Sequence, residues 1–137
     1  MEKWFGTTLG EIRRSAKGAF EEQVQGRLST VFSFRAIQDS QQQAWRISAG
    51  WVWEWASVAG QVPDEWLVLF EYATPLVTSR PDVVIVSTNH VIVMEFKTGD
   101  GTPGSARKQT LGYAEDLYWF HPGTREKSVI PVLVSTS

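Results

Sequence analysis

The sequence predicts an α/β domain: a mixed four-stranded sheet flanked by helices, with an additional helix at the N-terminus. Three observations predict it. Apolar residues recur at steps of three and four over two long stretches before residue 60, as amphipathic helices require. Runs rich in valine and isoleucine, over residues 82 to 87, 90 to 96 and the C-terminal SVIPVLVST, have the β-branched composition of strands. A helical stretch, SARKQTLGYAEDLYWF, separates the last two runs, so strands and helices alternate along the chain.

Each element follows from local chemistry. TTLGEIRRSAKGAFEEQVQGRLSTVF carries Leu9, Ile12, Ala16, Ala19, Phe20, Val24, Leu28 and Val31 on one helical stripe, with Thr7 or Thr8 as N-cap. SQQQAWRISAGWVWEWASVAG repeats the pattern through Ala44, Ile47, Trp51, Trp55 and Val58, and Gly60 is placed to stop it. EWLVLFEYA reads as a strand and TPLVTSRP as a loop or hairpin connection. Two strands follow over 82 to 87 and 90 to 96, then the loop GDGTPG. The next helix ends at His121, Pro122 and Gly123, and SVIPVLVST is the final strand. Gly112, inside that helix, costs about 1 kcal/mol relative to alanine, which suggests either close packing or backbone approach, or a glycine that is merely tolerated.

Composition bounds the function. At 137 residues, with 42% hydrophobic and 20% charged residues, the chain has the size and balance of one globular domain with a sizeable core. No apolar run approaches the roughly 18 to 20 residues needed to span a bilayer. The N-terminus has no basic segment followed by an apolar one, so no signal peptide is expected. The absence of cysteine excludes disulfides and thiolate metal sites, and fits an intracellular, cytoplasmic protein. A net charge of -2 argues against a dedicated nucleic-acid coat protein but leaves room for a local basic patch. The seven tryptophans, four of them between Trp45 and Trp55, read as core or domain-interface residues rather than base-stacking platforms.

The chemistry sits in RPDVVIVSTNHVIVMEFKTG, residues 80 to 99. If Thr88 and Asn89 form the turn, Val86 pairs with Val91, Val84 with Val93, and Asp82 falls opposite Glu95. A three-residue loop would put the two carboxylates on opposite faces. Opposed like charges destabilise a strand pair, and buried charge is costly unless paired or bound to metal. A divalent cation removes that penalty, and magnesium is commonly held by one or two carboxylates with water and phosphate completing its shell. Lys97, two residues beyond Glu95, takes the same face. There an ammonium can position a water or offset charge on a phosphoryl transition state. The plain alternative is a strand emerging into water, with Asp82 as a turn residue after Pro81. Val83 and Ile85 lie opposite Met94 and Ile92 on the other face, so both faces are apolar away from the charged end, as in a central sheet. Arg107 and Lys108, near a helix start where amide groups favour anions, are candidate phosphate contacts against a default of solvated surface. His90 and His121 read as a turn residue and a helix-end residue.

Pro81-Asp82, a short hairpin and then Glu95-Phe96-Lys97 resemble the PD-(D/E)XK nuclease signature. The order of helix, three strands, helix and strand from about residue 41 to 136 is similar to that superfamily's core and covers it completely. QTLGY sets Gln109 and Tyr113 four apart on one helix face, as in the QxxxY pattern of the RecB-like branch. More narrowly, the combination resembles a nuclease-like domain at the N-terminus of certain bacterial superfamily 1 helicase-like ATPases.

The resemblance implies a restriction-endonuclease-like core over residues 41 to 136, with residues 1 to 38 as a helical extension. It implies that Asp82, Glu95 and the backbone carbonyl of Phe96 are ligands for Mg²⁺ or Mn²⁺, and that Lys97 is the catalytic lysine. It implies that Gln109 and Tyr113 contact the nucleic-acid backbone or support the catalytic face. Either Glu71 or Glu54 is a further acidic group, and the sequence does not choose between them. The expected function is metal-dependent hydrolysis of DNA, with RNA left open, acting with a fused or separate helicase or ATPase and with no membrane. The alternative is a catalytically silent nuclease-fold module that binds nucleic acid or regulates such a protein. No GxxxxGK[ST] phosphate loop is present, so a standalone nuclease and a piece of a longer helicase-fused protein both stay open.

Overall fold

The computed structural model describes residues 4–32, 37–72, 80–98, 103–120 and 127–136, except for the side chains of 98, 103–107, 119, 120 and 136. Most of the TPLVTSRP connection, the start of the GDGTPG loop and the helix end at His121 fall outside them. The described elements are β1 (Phe5–Thr8), α1 (Leu9–Arg14), α2 (Lys17–Val31), α3 (Asp39–Val58), β2 (Leu67–Phe70), β3 (Val83–Val86), β4 (His90–Thr98), α4 (Pro103–Phe120) and β5 (Ser128–Thr136). The chain is mixed α/β, and its strands number five among the described residues where four were expected. It divides into two compact units, Met1–Phe70 and Glu71–Ser137. No described helix is long and apolar enough to cross a membrane.

In the first unit the fifth strand is β1, which pairs antiparallel with β2 from Phe5 opposite Phe70 to Thr8 opposite Leu67. Four residues containing Gly6 carry no alternation to announce a strand; the partner makes it one, and the Phe5 and Phe70 rings stack at 6.1 Å. The single helix expected from Thr7 onward is two. Thr8 caps α1, its hydroxyl accepting the Glu11 N–H. The chain then breaks at Ser15 and Ala16, both extended. Ser15 Oγ donates back to the Ile12 carbonyl, and Trp53 Nε1 donates to the Ser15 carbonyl at 2.9 Å. The break therefore rests on a tryptophan 38 residues away.

Helices α2 and α3 run antiparallel. Lys17 bonds Glu54, Arg46 bonds Gln25, and the Phe32 ring stacks on Trp45. α2 buries Phe20, Val24 and Leu28, as its stripe predicts. α3 does not bury the stripe read from the sequence. Val58 is 83% exposed and Ile47 lies at the surface, while Trp45, Ser48, Ala49, Val52 and Ala56 are buried. Both sets have helical spacing, and the small residues decide between them. A Cβ on Gly50 would come within 3.3 Å of the Lys17 side chain and closer still to Glu21, so the face bearing Ala49, Gly50 and Ala56 is the one that lets α2 approach. At the α3 C-terminus, Arg13 Nε donates to the Ala56 carbonyl, Nη1 to the Val62 carbonyl and to Asp64 Oδ1 at 2.6 Å, and Nη2 to the Ala59 carbonyl. One guanidinium thus ties the last turn of α3, through the Ala56 carbonyl, to the segment that follows it.

In the second unit β3 and β4 form the antiparallel hairpin in the expected register, Val86 opposite Val91 through Val83 opposite Met94. β4 pairs parallel with β5 along its whole length, His90 opposite Ser128 to Thr98 opposite Thr136, through the crossover helix α4. Val83, Val84, Ile85, Val93 and Met94 are buried, so both hairpin faces are covered. Two expectations about α4 change. It begins at Pro103, which places Arg107 and Lys108 in its second turn, past the amides that attract anions. A Cβ on Gly112 would meet nothing within 4 Å, so no close approach explains that glycine.

Two stability measurements follow. Arg13→Ala should lower the unfolding free energy by about 2–3 kcal/mol in urea denaturation, because a charged donor serving several carbonyls is removed. Arg13→Lys should recover only part of this, since one ammonium cannot span acceptors that a planar fork reaches. Gly112→Ala should raise stability by about 1 kcal/mol, the helix-propensity difference at a position with room for the methyl.

Candidate functional site

The hairpin register brings Asp82 and Glu95 together. Continued one residue outward from Val83 and Met94, it sets them directly opposite one another. Ser87 N–H to the His90 carbonyl is a ladder bond, and by alternation Asp82 and Glu95 are a pair without one, the kind whose side chains stand closer. Each carboxylate then reaches the backbone across the gap. Glu95 Oε1 accepts the Asp82 N–H at 3.0 Å, and Asp82 Oδ2 accepts the Phe96 N–H at 2.8 Å. The two acids are locked by bonds to each other's strand.

That lock does not cancel the cost of their burial. Burial is the main cause that pushes the Asp82 carboxyl up to about 6, against the opposing pull of the Phe96 N–H. Glu95 is pushed up to about 8, first by burial and then by the negative charge of Asp82. The Asp82 N–H and the Lys97 ammonium pull Glu95 back, while Glu71 pushes it further. The two titrate as a pair, which holds a proton well above the ordinary carboxylate range.

Lys97 is half-buried and shares the Glu95 face, as period two requires. Glu71 follows β2 directly. Its φ of 58° is a left-handed backbone that a non-glycine residue rarely adopts, at a cost of about 1–2 kcal/mol. Two bonds hold it there: its N–H donates to the Asp82 carbonyl at 3.1 Å, and Arg80 Nη1 donates to its own carbonyl at 2.9 Å. Of the two further acidic residues, Glu71 acts on the charge of Glu95, whereas Glu54 is exposed on α3 and paired with Lys17 at 2.6 Å.

The remaining site expectations separate. Tyr113 is fully buried, so of its two expected roles only support from within the fold is open to it, while Gln109 is exposed on α4. Lys108 is exposed, and the side chain of Arg107 lies outside the described residues. The sequence did not point to the roles of Arg80 and the Glu71 backbone, since no local pattern announces a left-handed glutamate.

As a donor set, Asp82 and Glu95 offer hard carboxylate oxygens whose charges repel one another. No group of three or more His, Cys, Asp or Glu among the described residues is arranged to hold a metal ion. Two carboxylates are nonetheless what magnesium sites commonly supply. The residues present fit a Mg²⁺ or Mn²⁺ ion, whose charge would replace the retained proton.

The raised carboxyls predict the pH dependence of metal-free stability. Their unfolded values lie near 4 and their folded values near 6 and 8. The folded state therefore holds more protons between those limits, and stability falls as pH rises through that window. The urea midpoint should drop between pH 5 and 8. Glu95→Gln keeps an acceptor for the Asp82 N–H, so it should flatten that drop and raise stability at pH 8 by about 1 kcal/mol. A midpoint with the same pH slope in both proteins would count against the protonated pair.

No protein-family model, curated protein or solved structure matches this chain.

Proposed function

We propose that this chain is a divalent-cation-dependent nuclease domain that hydrolyses phosphodiester bonds in DNA at the Asp82–Glu95 end of the hairpin. One observation carries the reading: two mutually repelling, half-buried carboxylates stand in register with an ammonium on the same face. A solvated strand end does not need that arrangement, and a cation site does. The resemblance to the PD-(D/E)XK signature supports it through the same three residues and the order of elements around them.

In this reading Asp82, Glu95 and the Phe96 carbonyl would hold Mg²⁺ or Mn²⁺. Bound there, the cation supplies Lewis-acid stabilisation of the phosphate and a more acidic water. Lys97 is placed to orient an attacking water and to offset negative charge developing on phosphorus-bound oxygens. Glu71 adds negative charge beside Glu95 and strengthens cation binding. Gln109 offers an amide to the substrate backbone from the exposed side of α4, and Tyr113 supports the helix from beneath. The restriction-endonuclease-like topology and action alongside a fused or separate helicase-type ATPase belong to the same proposal.

A second reading has its own observation. Each carboxylate already accepts a backbone N–H from the facing strand, which is all that a catalytically silent module would ask of them.

Three variants separate the readings. Lys97→Ala should reduce Mn²⁺-dependent cleavage of DNA by a factor of about 10²–10³ and leave Mn²⁺ binding nearly intact, because the ammonium acts on transition-state charge. Asp82→Asn and Glu95→Gln should lose both cleavage and Mn²⁺ affinity, since a neutral amide is a poor ligand for a hard cation. RNA offered in parallel decides the substrate. A folded protein that binds Mn²⁺ and DNA without cleaving, alone and with an ATPase partner, supports the silent module. One that binds no Mn²⁺ at pH 8 sinks the nuclease reading.

A further inference from the structure

The β3–β4 ladder stops one rung short of where its register would carry it. Residues 87 and 90 are a hydrogen-bonded pair, and such pairs alternate along an antiparallel ladder. Ile85 with Ile92 and Val83 with Met94 are the next ones, and the same count makes Pro81 with Phe96 the one after. At that rung residue 81 would donate its N–H to the Phe96 carbonyl and accept the Phe96 N–H in return. Proline has no N–H to give. The paired ladder ends at Val83 and Met94, and the Phe96 N–H donates to Asp82 Oδ2.

Pro81 is buried. A residue with an N–H there could not leave it to water and would need an acceptor, and the register puts the Phe96 carbonyl opposite. The other polar groups of Asp82 are already engaged, its carbonyl by the Glu71 N–H and its own N–H by Glu95 Oε1. The direction of its carboxylate therefore hangs on the bond from Phe96.

We propose that Pro81 is a positioning residue: by withholding the donor of the next rung it ends β3 at Val83 and leaves the Phe96 N–H to orient the Asp82 carboxylate beside Glu95. The functional consequence rests on the reading of Asp82 and Glu95 as cation ligands. The structural consequence rests on register alone.

The test compares the unsubstituted protein with Pro81→Ala and Pro81→Val. Both variants restore an N–H, and valine also keeps branched apolar volume at the buried position. Scalar coupling across the hydrogen bond, from the Phe96 amide nitrogen to the carbon of its acceptor, identifies that acceptor by NMR, and a Mn²⁺ titration measures affinity. In the unsubstituted protein the coupling should run to the Asp82 carboxyl carbon; its absence overturns the proposal at once. In either folded variant it should move to the carbonyl carbon of residue 81, and Mn²⁺ should bind about tenfold more weakly, as when an outer hydrogen bond to a metal ligand is lost. A coupling that stays on Asp82, or one that moves with no loss of Mn²⁺ affinity, overturns it. If the coupling moves but the unsubstituted protein binds no Mn²⁺, the reading of the site fails and the control of the carboxylate by Pro81 stands.

Discussion

A two-residue turn at Thr88 and Asn89 sets the parity of the β3–β4 hairpin, and that parity decides the chemistry of its far end. With an even count, Val84 and Val93 share a face and so do Asp82 and Glu95. One residue more or less in the turn would send one acid to each face of the sheet. The same parity decides which backbone groups face across the hairpin. It makes residues 81 and 96 the next hydrogen-bonded pair, and it leaves the Phe96 N–H for Asp82. Glu71 is tied to the same point, since its left-handed backbone donates to the Asp82 carbonyl.

The energetics of that end are those of a frustrated pair. Opposed carboxylates removed from water resist ionisation, and the two backbone N–H groups that serve them offset only part of the cost. Such an arrangement lowers the stability of the metal-free protein at neutral pH and above. Strain of this kind persists where the surrounding structure holds it and where a ligand gains from it. The buried hairpin residues on both faces supply the first condition, and a cation would supply the second.

The first unit is held differently. Its helices meet through small residues and aromatic contacts, and one arginine gathers carbonyls from the last turn of α3 and the segment after it. Trp53 serves the break between α1 and α2 in the same way, with a side-chain donor from another element completing backbone that local structure leaves open. Neither role has a sequence signature. Arg13 reads as an ordinary basic residue within one long helix, and Trp53 as one of several tryptophans.

By itself the sequence determined what rests on short-range periodicity. The β-branched runs became β3, β4 and β5, the Thr-Asn turn set the register of β3 against β4, and Phe20, Val24 and Leu28 of the predicted stripe became the buried face of α2, because only one arrangement of the hairpin and of α2 hides these apolar residues. The facing of Asp82 and Glu95 follows from the same count. Tertiary structure decided what local pattern leaves degenerate. Only pairing with β2 makes a strand of Phe5–Thr8. Only the approach of α2 selects the Ala49 and Val52 face of α3 over the equally periodic stripe through Ile47 and Val58. Only backbone contacts between segments far apart in sequence put Glu71 in a left-handed conformation and give the Asp82 carboxylate its direction. Periodicity tells which residues must leave water; which partner they leave it for depends on shape and on unpaired backbone groups, and those exist only once the chain has folded.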